Sequence, residues 1–171
     1  IRRETLPVIP VSEAKLAEDG ETVRIRGYLT VGTAVPGNSF PGMLYLQDDT
    51  GGLGVSGMDI PDLHLGEPVE LYLRREGAGF LLLHLERRSD AYHLYRPKAL
   101  SCADAVRHDL YGDLLVQTEG RVVSRTLTAD GKGVSAFTLE DRNGNRVTVS
   151  VEAEIRSGST GENTLADTVT E

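Results

Sequence analysis

The chain has no tryptophan, a single cysteine and an aromatic content of only 5%. The lone Cys102 excludes an intrachain disulfide and any cysteine-based metal site. A reducing compartment and a cysteine-poor extracytoplasmic one both fit. Positive charge is in deficit: 18 Lys and Arg stand against 26 Asp and Glu, giving a net charge of −8 and a pI near 5.0. That balance disfavours generic nucleic-acid binding, which relies on cations to displace counterions from phosphates. It reads more simply as solubility. No apolar run approaches the roughly 20 residues of a membrane span, so no direct membrane insertion is expected. The chain starts at Ile1 rather than Met. A processed or cut piece of a longer protein is therefore expected, from which a signal peptide or membrane helix could have been removed.

Catalytic motifs are missing as well. His64, His84, His93 and His108 are scattered, with no spacing suited to zinc. The segment GGLGVSG, 51–57, has glycines but no following Lys-Ser/Thr and no helix, so it is no phosphate loop. The hydroxyls lack any nucleophile-elbow context. Asp48, Asp49 and Asp141 stand near glycines in tight turns, and turn chemistry is favoured there over a cation site, which needs more oxygen ligands at set spacing. No catalytic residue, metal or cofactor is expected, and the chain is not expected to be an enzyme.

What is present is a repeat. Gly27-Tyr28-Leu29-Thr30 is followed by Leu46-Gln47-Asp48 and Gly51. Gly120-Arg121-Val122-Val123 is followed by Leu139-Glu140-Asp141 and Gly144, each 93 positions after its counterpart. One fixed offset means one structural unit used twice. A chain of 171 residues with 39% hydrophobic content has room for two small packed cores.

The first copy opens on a short capped helix at Ser12-Glu13-Ala14-Lys15-Leu16. VRIRGYLTV, 23–31, then alternates, with Val23, Ile25, Leu29 and Val31 inward and Arg24, Arg26, Tyr28 and Thr30 outward. Gly27 marks a bulge or sharp bend in that strand. Pro36-Gly37-Asn38 and Pro41-Gly42 mark a loop. Further strands follow at 43–48, 53–57, 69–75 and 80–87, with a connection from Pro61 to Gly66 that has room for one helical turn. Five short strands with a long connection between the third and fourth describe a small barrel. The second copy begins at Ser101-Cys102-Ala103 and places Val116, Thr118 and Val122 inward on one strand, LLVQTEGRVVS. Strands at 137–141 and 146–152 follow, and then the pattern fails in RSGSTGENTLADTVTE, which reads as the connection before a fourth strand.

These strings, VRIRGYLTV…MLYLQDDTGGLGV and VQTEGRVVS…FTLEDRNGNRVTV, resemble a pair of OB folds, the oligonucleotide/oligosaccharide-binding barrels. The resemblance implies an all-β chain of two Greek-key barrels in tandem, 1–97 and 98–171, each preceded by a short helix and the second lacking its last strands. The chain looks most like the OB pairs of bacterial extracytoplasmic sensor or adaptor proteins, joined here by Tyr95-Arg96-Pro97-Lys98-Ala99-Leu100. That likeness implies a non-enzymatic recognition or spacer module with an unknown ligand or protein partner.

OB barrels that bind nucleic acid use the outer face of strands two and three with flanking loops. Arg24, Arg26 and Tyr28 on the first strand and Tyr45 and Gln47 on the second point outward, over small Gly54 and Ser56 on the third. These five form the candidate ligand-binding set, able to stack bases or a sugar. Tyr and Arg are also common on exposed strand faces, where they cover apolar surface. The second copy presents Gln117, Glu119, Arg121, Thr138 and Glu140 instead; it has lost both tyrosines and gained acid. Single-stranded nucleic-acid binding through the first barrel is the alternative reading. Arg74-Arg75 and Arg87-Arg88 are interrupted by acids and read as a solvated face; His84 reads as structural or solvent-exposed.

Overall fold

The computed structural model of the chain describes residues 6–34, 42–57 and 60–151. The described residues are mostly β-sheet with three single-turn helices, and the chain divides into two compact units. Among the described residues, unit 1 takes in 6–34, 42–57, 60–96 and the segment Gly112–Leu115; unit 2 takes in 97–111 and 116–151. No helix among the described residues is long and apolar enough to cross a membrane.

Unit 1 runs β1 (Val8–Ile9), α1 (Val11–Ala14), β2 (Thr22–Val31), β3 (Met43–Asp48), β4 (Gly51–Ser56), β5 (Pro68–Glu76) and β6 (Gly79–Arg87). The sheet order is β1-β2-β3-β4-β6-β5, and β5 also pairs with β2, which closes the barrel. The pairs β1–β2 and β4–β6 are parallel and the other pairings of the sheet are antiparallel. A meander of three strands, then a pair that enters in reverse order and closes on the first, is the OB topology. Alternation along the strands fills the interior with aliphatic side chains: Ile25, Leu29, Leu46, Leu63, Leu71 and Leu73 are fully buried. α1 plugs one end through Val11 and Ala14.

Several local expectations need correction. The pairing Leu29↔Leu46 is followed by Val31↔Tyr45, so Thr30 forms a bulge. The bulge flips the pleat: Thr30 is buried, and Val31, expected inward, is half-buried. A second irregularity between Tyr72 and Leu73 skips Leu83, and beyond it Leu85 packs on the core. The first helix is not capped by its own serine. Pro10 occupies the N-cap without a side-chain hydrogen bond, and the Val11 amide donates instead to the Asp48 carboxylate at 2.8 Å. The connection 60–67 holds turns and no helix. The loop expected around Pro36–Asn38 and Pro41 lies outside the described residues.

Unit 2 runs β7 (Lys98–Ala99), α2 (Cys102–Ala105), α3 (His108–Tyr111), β8 (Val116–Gln117), β9 (Arg121–Leu127), β10 (Val134–Glu140) and β11 (Arg146–Ser150). The single strand expected over LLVQTEGRVVS is broken: residues 118–120 separate β8 from β9, and Val116, expected inward, is exposed. Ser101 does cap α2, accepting from the Asp104 amide. α3 has no counterpart in the first copy.

The repeat holds at the level of single residue pairs. Tyr28 faces Gln47 and Leu29 faces Leu46; Arg121 faces Glu140 and Val122 faces Leu139, all 93 positions later. The bulge repeats too, at Thr30 and again at Val123. Gly27 lies inside β2 and Gly120 just before β9, yet a methyl on either would come within 2.8 Å of a carbonyl oxygen, Gln47 in one copy and Glu140 in the other. Beyond the hairpin turn the offset becomes 94, since Glu140 pairs with Arg146 where Gln47 pairs with Gly52. The second turn is one residue longer. Gly144 is therefore a turn residue at φ 80°, not the counterpart of Gly51, which begins β4.

Among the described residues unit 2 has the three-stranded sheet β11-β10-β9 and the pair β7-β8. Val122, Leu139, Val147 and Val149 are only half-buried, where Leu29, Leu46, Leu53 and Val55 are buried. The physical reason is that β5 and β6 have no counterpart there among the described residues. The stretch after Glu152, expected to be a connection to a fourth strand, lies outside them.

Candidate ligand-binding site

Glu70 organises the outer surface of β2 in unit 1. It faces Arg26 across the β2–β5 ladder, and the bulky strand around it leaves its side chain only 4% exposed. Arg24 Nε donates to Oε1 and Arg26 Nε to Oε2, each at 2.6 Å, and the Tyr72 hydroxyl donates to Oε1 at 3.1 Å. Arg88 adds a third cation at 3.7 Å and pairs with Asp90 as well. Burial works against this carboxylate, but the hydrogen bonds from Arg24, Arg26 and Tyr72 outweigh it and hold its pKa below the ordinary range. Asp90 is likewise held low, by Arg88.

Beside this cluster is an open cleft of about 460 Å3. Its aromatic side is a trio: the Tyr28 ring lies 5.2 Å from His93 and 6.1 Å from Tyr95, and His93 meets Tyr95 edge-on at 4.6 Å. The segment 88–95, which follows β6, supplies His93 and Tyr95 and is held by hydrogen bonds from the Arg88 amide to the Pro68 carbonyl and from the His93 amide to the Gly66 carbonyl. Burial pushes the Tyr95 hydroxyl pKa up, and its hydrogen bond to Asp49 adds to the shift. The polar side carries Arg26 and Arg88 against Asp48, Asp49 and Asp90. Asp48 is consumed by structure: one oxygen accepts from the Thr50 amide, the Thr50 hydroxyl and the Gly51 amide, and the other holds the Val11 amide. This is turn and cap chemistry.

The five residues picked from the sequence divide into three groups. Arg26 and Tyr28 line the cleft. Arg24 stands behind it on Glu70, 5.4 Å from the Tyr72 ring centre. Tyr45 and Gln47 belong to a different surface, the outer face of β3. Gln47, expected to be open, is 8% exposed, because Gly112–Leu115 lies over it and the Leu115 amide donates to its Oε1 at 3.2 Å. The expectation that these five form one open face is thus corrected. Sequence reading missed Glu70, Arg88, His93 and Tyr95. Two signals were available: an acid in the apolar strand VELYL, and two of the chain's six tyrosines falling within 92–95.

Unit 2 carries a cleft of about 1040 Å3 at the repeated position, lined by Glu119, Gly120, Arg121, Glu140, Asp141 and Arg142 among others. It has no ring. Glu140 is paired with Arg146 at 2.7 Å and Arg121 at 3.4 Å, which hold it below the ordinary carboxylate range. Asp141 repeats the role of Asp48. It accepts from Asn145, Asn143 and the Cys102 amide at the start of α2, and is held low, first by the Asn145 side chain.

No protein-family model and no curated protein matches the sequence. Among solved structures, the chain is similar to one in the S. pombe Stn1–Ten1 complex, at 14% identity and a TM-score of 0.41, covering 51% of this chain and 80% of that one. It is similar to the telomere capping protein Ten1 of S. pombe at 18% identity and 0.38, covering 50% and 83%. A third likeness, to TiaS in its complex with a transfer RNA and ATP, has 18% identity and a TM-score of 0.37; it takes in 86% of this chain but only 32% of that one.

Proposed function

We propose that the chain is a non-catalytic tandem OB-fold recognition module, a sensor or interaction domain of a larger bacterial protein on the extracytoplasmic side. In this reading the first barrel takes its ligand in the Tyr28–His93–Tyr95 cleft. The observation that supports it best is the state of the arginines. Arg24, Arg26 and Arg88 all converge on Glu70, and Arg88 pairs with Asp90 besides. A phosphate chain needs uncommitted cations, and the cleft wall holds three aspartates against two arginines. A neutral or zwitterionic small molecule fits this mixture of rings, donors and acceptors better than a polyanion. The volume falls within the roughly 300–1,000 Å3 of small-ligand sites.

Saturation-transfer NMR on the full chain, with a set of small neutral and zwitterionic polar compounds, tests this reading. Binders are expected whose signals disappear with Tyr28→Ala. Binders indifferent to Tyr28→Ala, or none at all, would overturn it.

Single-stranded nucleic-acid binding is the second reading, favoured by one observation: three rings beside Arg26 have the makings of a stacking platform. On that reading Tyr28→Ala costs about 1–3 kcal/mol of oligonucleotide affinity, the value of a stacked base. The likenesses to the Ten1 and TiaS structures do not choose between the two.

A further inference from the structure

The outward face of β3 and β4 is built against a length of main chain. Gly52 and Gly54 alternate on that face with inward Leu53 and Val55. A methyl at Gly52 would stand 2.2 Å from the Asp113 carbonyl oxygen, and one at Gly54 would stand 3.3 Å from the Asp113 carboxylate. Glycine at such a strand position marks the close approach of another backbone. Side chains of the barrel then meet main-chain groups at both ends of the segment. Lys15 Nζ donates to the Gly112 carbonyl at 3.0 Å, and Gln47 Oε1 accepts from the Leu115 amide at 3.2 Å. Between them Asp113 holds φ at 64°, a left-handed conformation uncommon for a non-glycine residue.

We propose that the β3–β4 face is a groove that takes a short length of main chain, and that the turn Gly112–Leu115 occupies it in cis as a strap. Any other main-chain ligand of this face has to displace the strap first. The groove recognises backbone rather than side chains: its contacts run to a carbonyl and an amide, and its glycines fix the closeness of approach. The strap is covalently attached and has the advantage of effective concentration over a ligand in solution. This inference is independent of the cleft reading, since it uses none of the cleft's three rings.

The test places a reporter under the strap of the full chain. Gly54→Cys adds a thiol whose nearest neighbours are the movable ends of Tyr45, Asp113 and Met43, while the native Cys102 is fully buried. Asp113→Pro lifts the strap, because proline fixes φ near −65°. Asp113→Gly keeps it seated, because glycine takes positive φ freely. Alkylation of Cys at position 54 by iodoacetamide is expected to run about tenfold or more faster with Asp113→Pro than with Asp113→Gly, both of which lack the carboxylate beside the thiol, as local opening does. Equal rates in these two variants would overturn the proposal. Amide exchange in the otherwise unaltered chain tests it without any variant at Asp113. The Leu115 N–H is expected to be protected and to lose protection with Gln47→Ala. Exchange of Leu115 at the free-chain rate in the unaltered protein would overturn the strap outright.

Discussion

Glu70 orders the outer surface of β2 and β5, since two arginines and a tyrosine hydroxyl donate to it. Glu70→Gln keeps the shape and removes the charge, leaving its donors badly served, and is expected to lower stability by about 1–3 kcal/mol in urea unfolding. The pH dependence has a definite sign. The folded pKa lies below the ordinary value of 4.5, so the contribution is complete above that value. It is lost as pH falls through the lower folded pKa. The unaltered protein should therefore lose stability faster than Glu70→Gln on acidification below about pH 4.5. Parallel curves would contradict this role. At Gly27 a methyl would meet the Gln47 carbonyl at 2.8 Å. Gly27→Ala should cost about 1–3 kcal/mol by overpacking, read as a drop in the urea midpoint. The sequence marked Gly27 plainly, because it interrupts an otherwise regular alternation. It showed Glu70 as an acid in the apolar strand VELYL but gave it no partner, because only the β2–β5 register brings residue 70 beside residues 24 and 26, and periodicity within one strand says nothing of register between distant strands.

Elements were more legible than their joins. The five strands of the first barrel fall where alternation and turn residues put them, since inward aliphatic residues at every second position have no other way to be buried together. The bulge at Thr30 was hidden, because Leu29-Thr30-Val31 alternates properly on paper and only the pairing with Leu46 and Tyr45 shows the skipped residue. The longer second turn was hidden for a similar reason: glycines at 51 and 144 keep the 93 offset while the strands behind them do not. The repeated hairpin aspartate is the element-scale device. Asp48 closes its own turn and caps a helix 37 residues upstream. Asp48→Ala should cost about 1–2 kcal/mol, the scale of a lost N-cap, and should speed amide exchange at Val11 together with Thr50 and Gly51. Exchange that quickens in the turn alone would separate the two roles.

At the scale of the whole molecule, topology followed from loop lengths and the repeat, while the site did not. Within the meander β2-β3-β4 only the turn 49–50 between β3 and β4 is short, and β5, entered after the 57–67 connection, closes on β2. The cleft depends on segment 88–95, which lacks regular structure and reads in sequence as the approach to a linker. The outer face of β3 looked open for want of any sign that residues 112–115 lie on it, apart from the two outward glycines. Charge, in contrast, was legible from composition and sharpened by structure: a net −8 chain has also paired Arg24, Arg26 and Arg88 with Glu70. The measurement that bears most directly on the account is a fluorescence-anisotropy titration of the full chain against labelled dT15 and U15, repeated across salt concentrations. No saturable binding is expected into the tens of micromolar at about 0.15 M salt, where non-specific nucleic-acid binding is weak. A submicromolar dissociation constant with a steep salt slope, lost in Tyr28→Ala, would contradict it and make the first barrel a single-strand binder.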